Sequence, residues 1–102
     1  GGDRLVVPEL VVMEIVVGAG AAAAAQRLRS MLHSFEVVSL APLADTEAAA
    51  DLQRRCRAAG RTVRNMIDCI IAAQAIRLAA PVLHADRDFE VLASVSDLEL
   101  VA

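Results

Sequence analysis

Thr62-Val-Arg-Asn-Met-Ile-Asp-Cys-Ile-Ile-Ala-Ala-Gln-Ala-Ile-Arg-Leu78 is followed, after two alanines, by Pro81-Val-Leu-His84. In the first stretch Ile67, Ile70, Ile71, Ala75 and Leu78 recur three or four residues apart, the spacing of an apolar helix stripe. The second is a short apolar run bounded by proline and by the acids Asp86 and Asp88, as a buried strand is. A helix feeding straight into a buried strand is the repeating unit of an α/β fold. Upstream, Leu5-Val-Val7 is a β-branched run, and Pro8 suits the first turn of the helix that follows. That helix covers Glu9 to Val17 and ends at Gly18 and Gly20. Ala21 to Ser34 reads as a second helix with Leu28 and Leu32 spaced for burial, and Glu36 to Leu40 as a strand broken at Pro42. Asp45-Thr46-Glu47 opens the next helix with carboxylates at its positive end, and Gly60 stops it. Downstream, Asp86 to Ala93 predicts a turn and a brief helix, and Leu98 to Val101 a last strand. The order β-α-α-β-α-α-β-α-β implies an α/β fold with a mainly parallel sheet.

With 102 residues the chain has room for a single domain, residues 1–102. Its 57% hydrophobic and 23% charged residues exclude a disordered tail. Twenty-one alanines supply much of the apolar content, so packed helices dominate the expected core. The longest apolar run, Ile15 to Ala25, is eleven residues, too short to span a bilayer, and it lacks the basic flank of a signal peptide. Ten arginines, no lysine and thirteen acids give a net charge of −3. The absence of lysine excludes a P-loop and a Schiff-base enzyme, and it removes the lysine that a receiver-like switch domain needs. Binding of nucleic acid has to come from local arginine clusters or from metal ions. Cys56 and Cys69, with His33 and His84, make no zinc-ligand spacing, so reduced, buried thiols in a cytosolic protein are expected.

Four acids stand where chemistry is expected. Glu14 lies inside Leu10-Val-Val-Met-Glu-Ile-Val-Val17, and Asp68 inside Met66-Ile-Asp-Cys-Ile-Ile-Ala-Ala73. A carboxylate among apolar neighbours is costly unless it is paired, bonded or bound to a metal. Each also has an ordinary explanation: exposure to solvent, or for Asp68 an arginine such as Arg64 four residues before it on the same helix face. Asp86 and Asp88 follow the strand at Pro81–His84, at the carboxyl end where open α/β sheets bind ligands. Their ordinary explanation is a turn and a helix cap. Converging carboxylates with no histidine or cysteine beside them select Mg²⁺ or Mn²⁺, ions that activate water and stabilise the leaving oxygen of a phosphodiester.

Three stretches together resemble the PIN-domain ribonucleases, most closely the VapC toxins of type II toxin–antitoxin pairs. They are Val7-Pro-Glu-Leu-Val-Val-Met-Glu-Ile-Val-Val-Gly18, Ala58-Ala-Gly-Arg-Thr-Val-Arg-Asn-Met-Ile-Asp-Cys-Ile-Ile-Ala-Ala73 and His84-Ala-Asp-Arg-Asp-Phe-Glu90. The resemblance implies a PIN-like three-layer sandwich, a mainly parallel central sheet flanked by helices. It implies a metal-dependent endoribonuclease in which Glu14, Asp68 and Asp86 are catalytic and hold Mg²⁺ or Mn²⁺, with Asp88 as an accessory metal ligand. It also implies a VapB-like antitoxin partner, an RNA substrate and a homodimer. The family opens with a strand carrying a first catalytic aspartate before threonine or serine, and Asp3 is not in that context. The chain is therefore expected to lack its first strand, to need an N-terminal segment to complete the fold, and not to fold alone as an active monomer.

Arg54, Arg55, Arg57, Arg61 and Arg64 cluster at the end of one predicted helix and the start of the next, with Arg61 and Arg64 nearest the acids as phosphate-binding candidates. A solvated helix face is the ordinary alternative. Phe35 and Phe89 are the only aromatic residues, which argues against a module built on base stacking. The Ala21–Ala25 run and the Leu10–Val17 helix offer more apolar surface than a small domain buries, as a dimer face or an antitoxin groove would. The competing function is a catalytically inactive PIN remnant or an α/β interaction module without enzyme activity.

Overall fold

Residues 6–83 and 87–101 are described by a computed structural model of the chain. The described elements are β1 (Val6–Pro8), α1 (Glu9–Val17), α2 (Ala22–His33), β2 (Glu36–Val38), α3 (Pro42–Ala58), α4 (Met66–Arg77), β3 (Val82–Leu83), α5 (Arg87–Ser94) and β4 (Leu100–Val101). Their order is the one the sequence predicts. They divide into two units, Gly1–Leu40 and Ala41–Ala102. No helix among the described residues is long and apolar enough to cross a membrane.

In the first unit β1 pairs with β2 in parallel, with Val6 opposite Glu36, Val7 opposite Val37 and Pro8 opposite Val38. A parallel pair needs a crossover, and α1 and α2 supply it. Pro8 ends the strand and is itself the N-cap of α1, one position earlier than the first-turn placement expected from sequence. The Glu9 carboxylate accepts the Leu40 amide at 2.6 Å, which ties the first turn of α1 to the chain beyond β2. Val7 and Leu32 are buried, whereas Met13, Ile15 and Val17 of α1 are exposed. The apolar surplus of α1 is thus left outside the core of its unit.

The second unit is built on the pair α3 and α4. Ala49, Leu52 and Cys56 of α3 are buried at three- and four-residue spacing, against Cys69 and the run Ile71 to Ala75 of α4. Phe89, Val91 and Leu92 of α5 and Leu98 complete the core, and β3 pairs with β4 in parallel. The expected stripe on α4 is corrected by this burial. Leu78 is exposed and Ile67 and Ile70 are half-buried, while the small residues Ala72, Ala73 and Ala75 lie inside. Small side chains let neighbouring elements close on α4 from more than one side.

Two helix starts differ from the sequence expectation. The first, α3, begins at Pro42 rather than at Asp45, because proline at the first helical position has no amide to lose and its φ suits the helix. Asp45 becomes a buried first-turn acid. Its Oδ2 accepts the Ala41 amide at 2.9 Å, and Arg77 at the far end of α4 donates Nε to Oδ1 at 2.8 Å and Nη2 to Oδ2 at 3.0 Å. The second, α4, begins at Met66 rather than Thr62, because the Asn65 side chain caps it by accepting the Ile67 amide at 3.0 Å. Arg64 therefore lies ahead of the helix, and the helical Arg64–Asp68 spacing expected from sequence does not arise.

Both helices close with the same backbone motif. After α3, the amides of Gly60 and Arg61 bond the carbonyls of Arg57 and Cys56 at 3.0 and 2.9 Å, with Gly60 at φ +71°. After α4, the amides of Ala79 and Ala80 bond Ile76 and Ala75 at 3.1 and 2.9 Å. Here the left-handed position is held by Ala79, at φ 52°, where a Cβ is unfavourable. The substitution Ala79→Gly is expected to raise stability by about 0.5–1 kcal/mol, the strain relieved being partly offset by glycine's greater freedom when unfolded. Urea unfolding midpoints of the two proteins measure it.

Asp45 also sets a pH dependence. The hydrogen bond from Arg77 holds its carboxyl below the ordinary value of 3.8, against the opposing effect of burial. A carboxyl with a depressed folded value adds stability in full above its unfolded value and loses it as pH falls through the folded one. Asp45→Asn is therefore expected to cost about 1–3 kcal/mol at pH 7. The gap from wild type should close as pH falls below 3.8, as denaturant unfolding at pH 7 and in acid will show.

Candidate active site

Turn formation at the tip of the α3–α4 hairpin places the candidate substrate residues. The motif ending α3 reverses the chain at Gly60, and Asn65 restarts it as α4, so residues 61–65 form a short irregular bridge. Val63 points inward and is fully buried, while Arg61 and Arg64 on either side of it are exposed. One buried apolar residue thus turns two arginines outward. They line a cleft of about 570 Å³ together with Gly60, Thr62, Arg87, Asp88 and Val91.

Opposite them, α5 opens with Arg87 exposed and Asp88 half-buried in its first turn, where the helix dipole favours a carboxylate. Asp68 occupies the third position of α4, also next to a helix N-terminus, and is only 5% exposed. One of its oxygens, Oδ2, is fully buried. Asp68 and Asp88 act on the same thiol. Burial pushes Cys69 up to about 11, and Cys56, Asp68 and Asp88 add to that rise. Cys56 is raised by burial as well, with Arg61 opposing and Asp88 adding. Both cysteines are free and buried. A thiol this high stays protonated near neutrality.

The remaining candidates are distributed as follows. Glu14 is exposed on α1, in the first unit, so its apolar sequence neighbours do not enclose it. Asp86 lies outside the described residues. Among the described residues no group of three or more histidine, cysteine, aspartate or glutamate side chains is gathered to hold a metal ion. The second unit does bring together Arg61, Arg64 and Asp88 in one cleft. Arg54, Arg55 and Arg57 are exposed on the last turns of α3.

Three contributors were not singled out by sequence reasoning. Arg87 lines the cleft, although it sits inside the quoted His84–Glu90 stretch, where its flanking by two acids was a usable signal. Asn65 fixes where α4 and hence Asp68 begin, and asparagine before an apolar helical run is a known cap signature. Ser94 accepts a hydrogen bond from Arg61 across 33 residues, a contact with no local signature.

The acids described on α4 and α5 offer carboxylate oxygens, the ligands a hard ion takes. The model of the PIN domain matches residues 1–95. The chain belongs to the PIN-domain family. This PIN domain is 36% identical over 96 residues to the VapC ribonuclease Mb1587 of Mycobacterium bovis, covering 94% of this chain and 72% of that protein. The same figures hold for ribonuclease VapC11 of Mycobacterium tuberculosis. Among solved structures, VapBC-5 of the VapBC family of toxin–antitoxin systems, from Mycobacterium tuberculosis, matches with a TM-score of 0.78 at 25% identity, over 97% of this chain and 82% of that one. VapBC-1 from nontypeable Haemophilus influenzae shares the fold, with a TM-score of 0.73 at 22% identity over 99% and 75%. The PIN fold agrees with the parallel strand pairs and five helices found among the described residues.

Proposed function

We propose that this PIN domain is a metal-dependent endoribonuclease toxin of the VapC type, neutralised by a VapB-like antitoxin. The observation that carries the reading is the cleft of the second unit that Arg61, Arg64, Arg87 and Asp88 line together. The ribonuclease names of the 36%-identical relatives support it. Those names favour it over an inactive remnant.

Glu14, Asp68 and Asp86 would hold Mg²⁺ or Mn²⁺, with Asp88 as an accessory ligand. When bound, such an ion supplies positive charge that activates water and steadies the leaving oxygen of a phosphodiester. The chain's own residues do the remaining work. Arg61 and Arg64 neutralise backbone phosphates, which lets a protein of net charge −3 hold RNA. Asp68, fixed at the start of α4 by the Asn65 cap, keeps its carboxylate in place without rearrangement during the reaction.

The assay is cleavage of RNA, with Mn²⁺ or Mg²⁺ and with EDTA, by the full-length protein, this chain together with the family's opening strand. Cleavage is expected only with metal, and Asp68→Asn should reduce it by about a hundredfold or more. The variant should fold as well as wild type, because removing one of two neighbouring negative charges relieves repulsion. Undiminished cleavage in EDTA, or by Asp68→Asn, would refute the reading.

The family's regulation and the surplus of acids suggest how the antitoxin acts: by inserting an arginine or similar cation among the carboxylates. The toxin is further proposed to be a homodimer. Co-expression with a cognate antitoxin is expected to yield a complex that does not cleave RNA, and a co-crystal should place an antitoxin cation at Asp68. A partner bound remote from Glu14, Asp68 and Asp86 would contradict this mode.

A further inference from the structure

Arg61 is anchored at both ends. Its amide bonds the Cys56 carbonyl at 2.9 Å, so its backbone is fixed by the turn that closes α3. Its side chain reaches α5, where Nη1 donates to Ser94 Oγ at 3.1 Å. The Ser94 hydroxyl in turn donates to the Val91 carbonyl at 2.5 Å. Its proton is thereby committed to α5, and its lone pairs are left to accept from the guanidinium. The direction of this relay, Arg61 to Ser94 to Val91, is fixed by chemistry rather than by choice of rotor.

A free surface arginine samples many rotamers and loses that freedom when it grips a ligand. Arg61 has five N–H donors, and one at Nη1 is spent on Ser94, which sets the plane of the guanidinium. Arg61 lines the cleft with Arg64, Arg87 and Asp88, and Val91 is the only apolar side chain among the described residues that line it. None of those described residues carries an aromatic ring, so they suit a phosphate oxygen and not a stacked base. A planar guanidinium held in advance suits two phosphate oxygens at once.

We propose that Ser94 is a positioning residue, holding Arg61 in the cleft to take a backbone phosphate of single-stranded RNA. The proposal rests on the ribonuclease reading for the identity of the ligand. Ser94 itself touches no substrate and acts through Arg61, so its loss weakens binding and leaves the bond-breaking step alone.

The test uses the full chain and a fluorescein-labelled single-stranded RNA, with binding read in EDTA and cleavage read with Mn²⁺. Ser94→Ala should raise both Kd and KM about three- to tenfold, with kcat changed by less than about twofold. Ser94→Thr, which keeps the hydroxyl, should restore wild-type values. Ser94→Val has threonine's shape without the hydroxyl and should behave like alanine, which guards against one variant misfolding. In an Arg61→Ala background neither Ser94→Ala nor Ser94→Val should weaken binding further, because the group being positioned is gone. Arg61→Ala should also flatten the salt dependence of log Kd by about 0.7, the value for one phosphate contact on a single strand.

Unchanged Kd and KM in both Ser94→Ala and Ser94→Val would overturn the proposal. So would an equal loss in the presence and absence of Arg61. The two readings fail separately. A chain that binds RNA with this pattern in EDTA but never cleaves it refutes the nuclease and leaves the positioning role. A chain that cleaves normally in both Ser94 variants refutes the positioning role alone.

Discussion

The Asp45–Arg77 ion pair is the constraint on which the second unit depends. It joins the first turn of α3 to the last residue of α4, so it fixes the open end of the hairpin. At the other end, the turn at Gly60 and the Asn65 cap decide where one helix stops and the next begins. Between these anchors the buried residues of α3 and α4 bring Cys56 close enough to act on the Cys69 thiol. The pair is bidentate, and the same carboxylate also satisfies the Ala41 amide. A buried charge is tolerable when its lone pairs are used in this way, and costly when they are not.

Everything functional in this unit hangs from the closed end of that hairpin. Burial of Val63 sends Arg61 and Arg64 outward, and the cap at Asn65 puts Asp68 at the third position of α4 rather than in mid-helix. Mid-helix, a buried carboxylate would face only apolar neighbours. At a helix start it lies in the positive field of the unpaired amides, which lowers the cost of its burial. α5 uses the same device for Asp88. Each acid thus sits at a helix N-terminus, and arginines occupy the loop before α4, where bulk and charge can face water.

The thiols illustrate how position decides chemistry. Cys69 sits next to Asp68 in sequence, and its neighbours in space include Asp88 and Cys56. In an electropositive site such a cysteine would ionise and become a nucleophile or a soft-metal ligand. Buried among carboxylates it is driven the other way.

Element types and order were legible in the sequence because periodicity and turn residues are local properties. The helix at Ala22–His33 and the short strand at Val82–Leu83 fall within the runs that announced them, and the strand at Val6–Pro8 overruns its Leu5–Val7 run by one residue. Family membership was legible too, since three motifs in one order are carried by residue identity alone. The start of α4 was misplaced because Thr62 to Asn65 continue an acceptable helical composition, and only the Asn65 side chain closing on the Ile67 amide ends the ambiguity. Burial of Asp45, its pairing with Arg77 32 residues away, and the 33-residue reach of Arg61 to Ser94 had no local trace. Such contacts exist only once helices pack, because ion pairs and hydrogen bonds between distant segments depend on where the core places them, and no spacing along the chain encodes that.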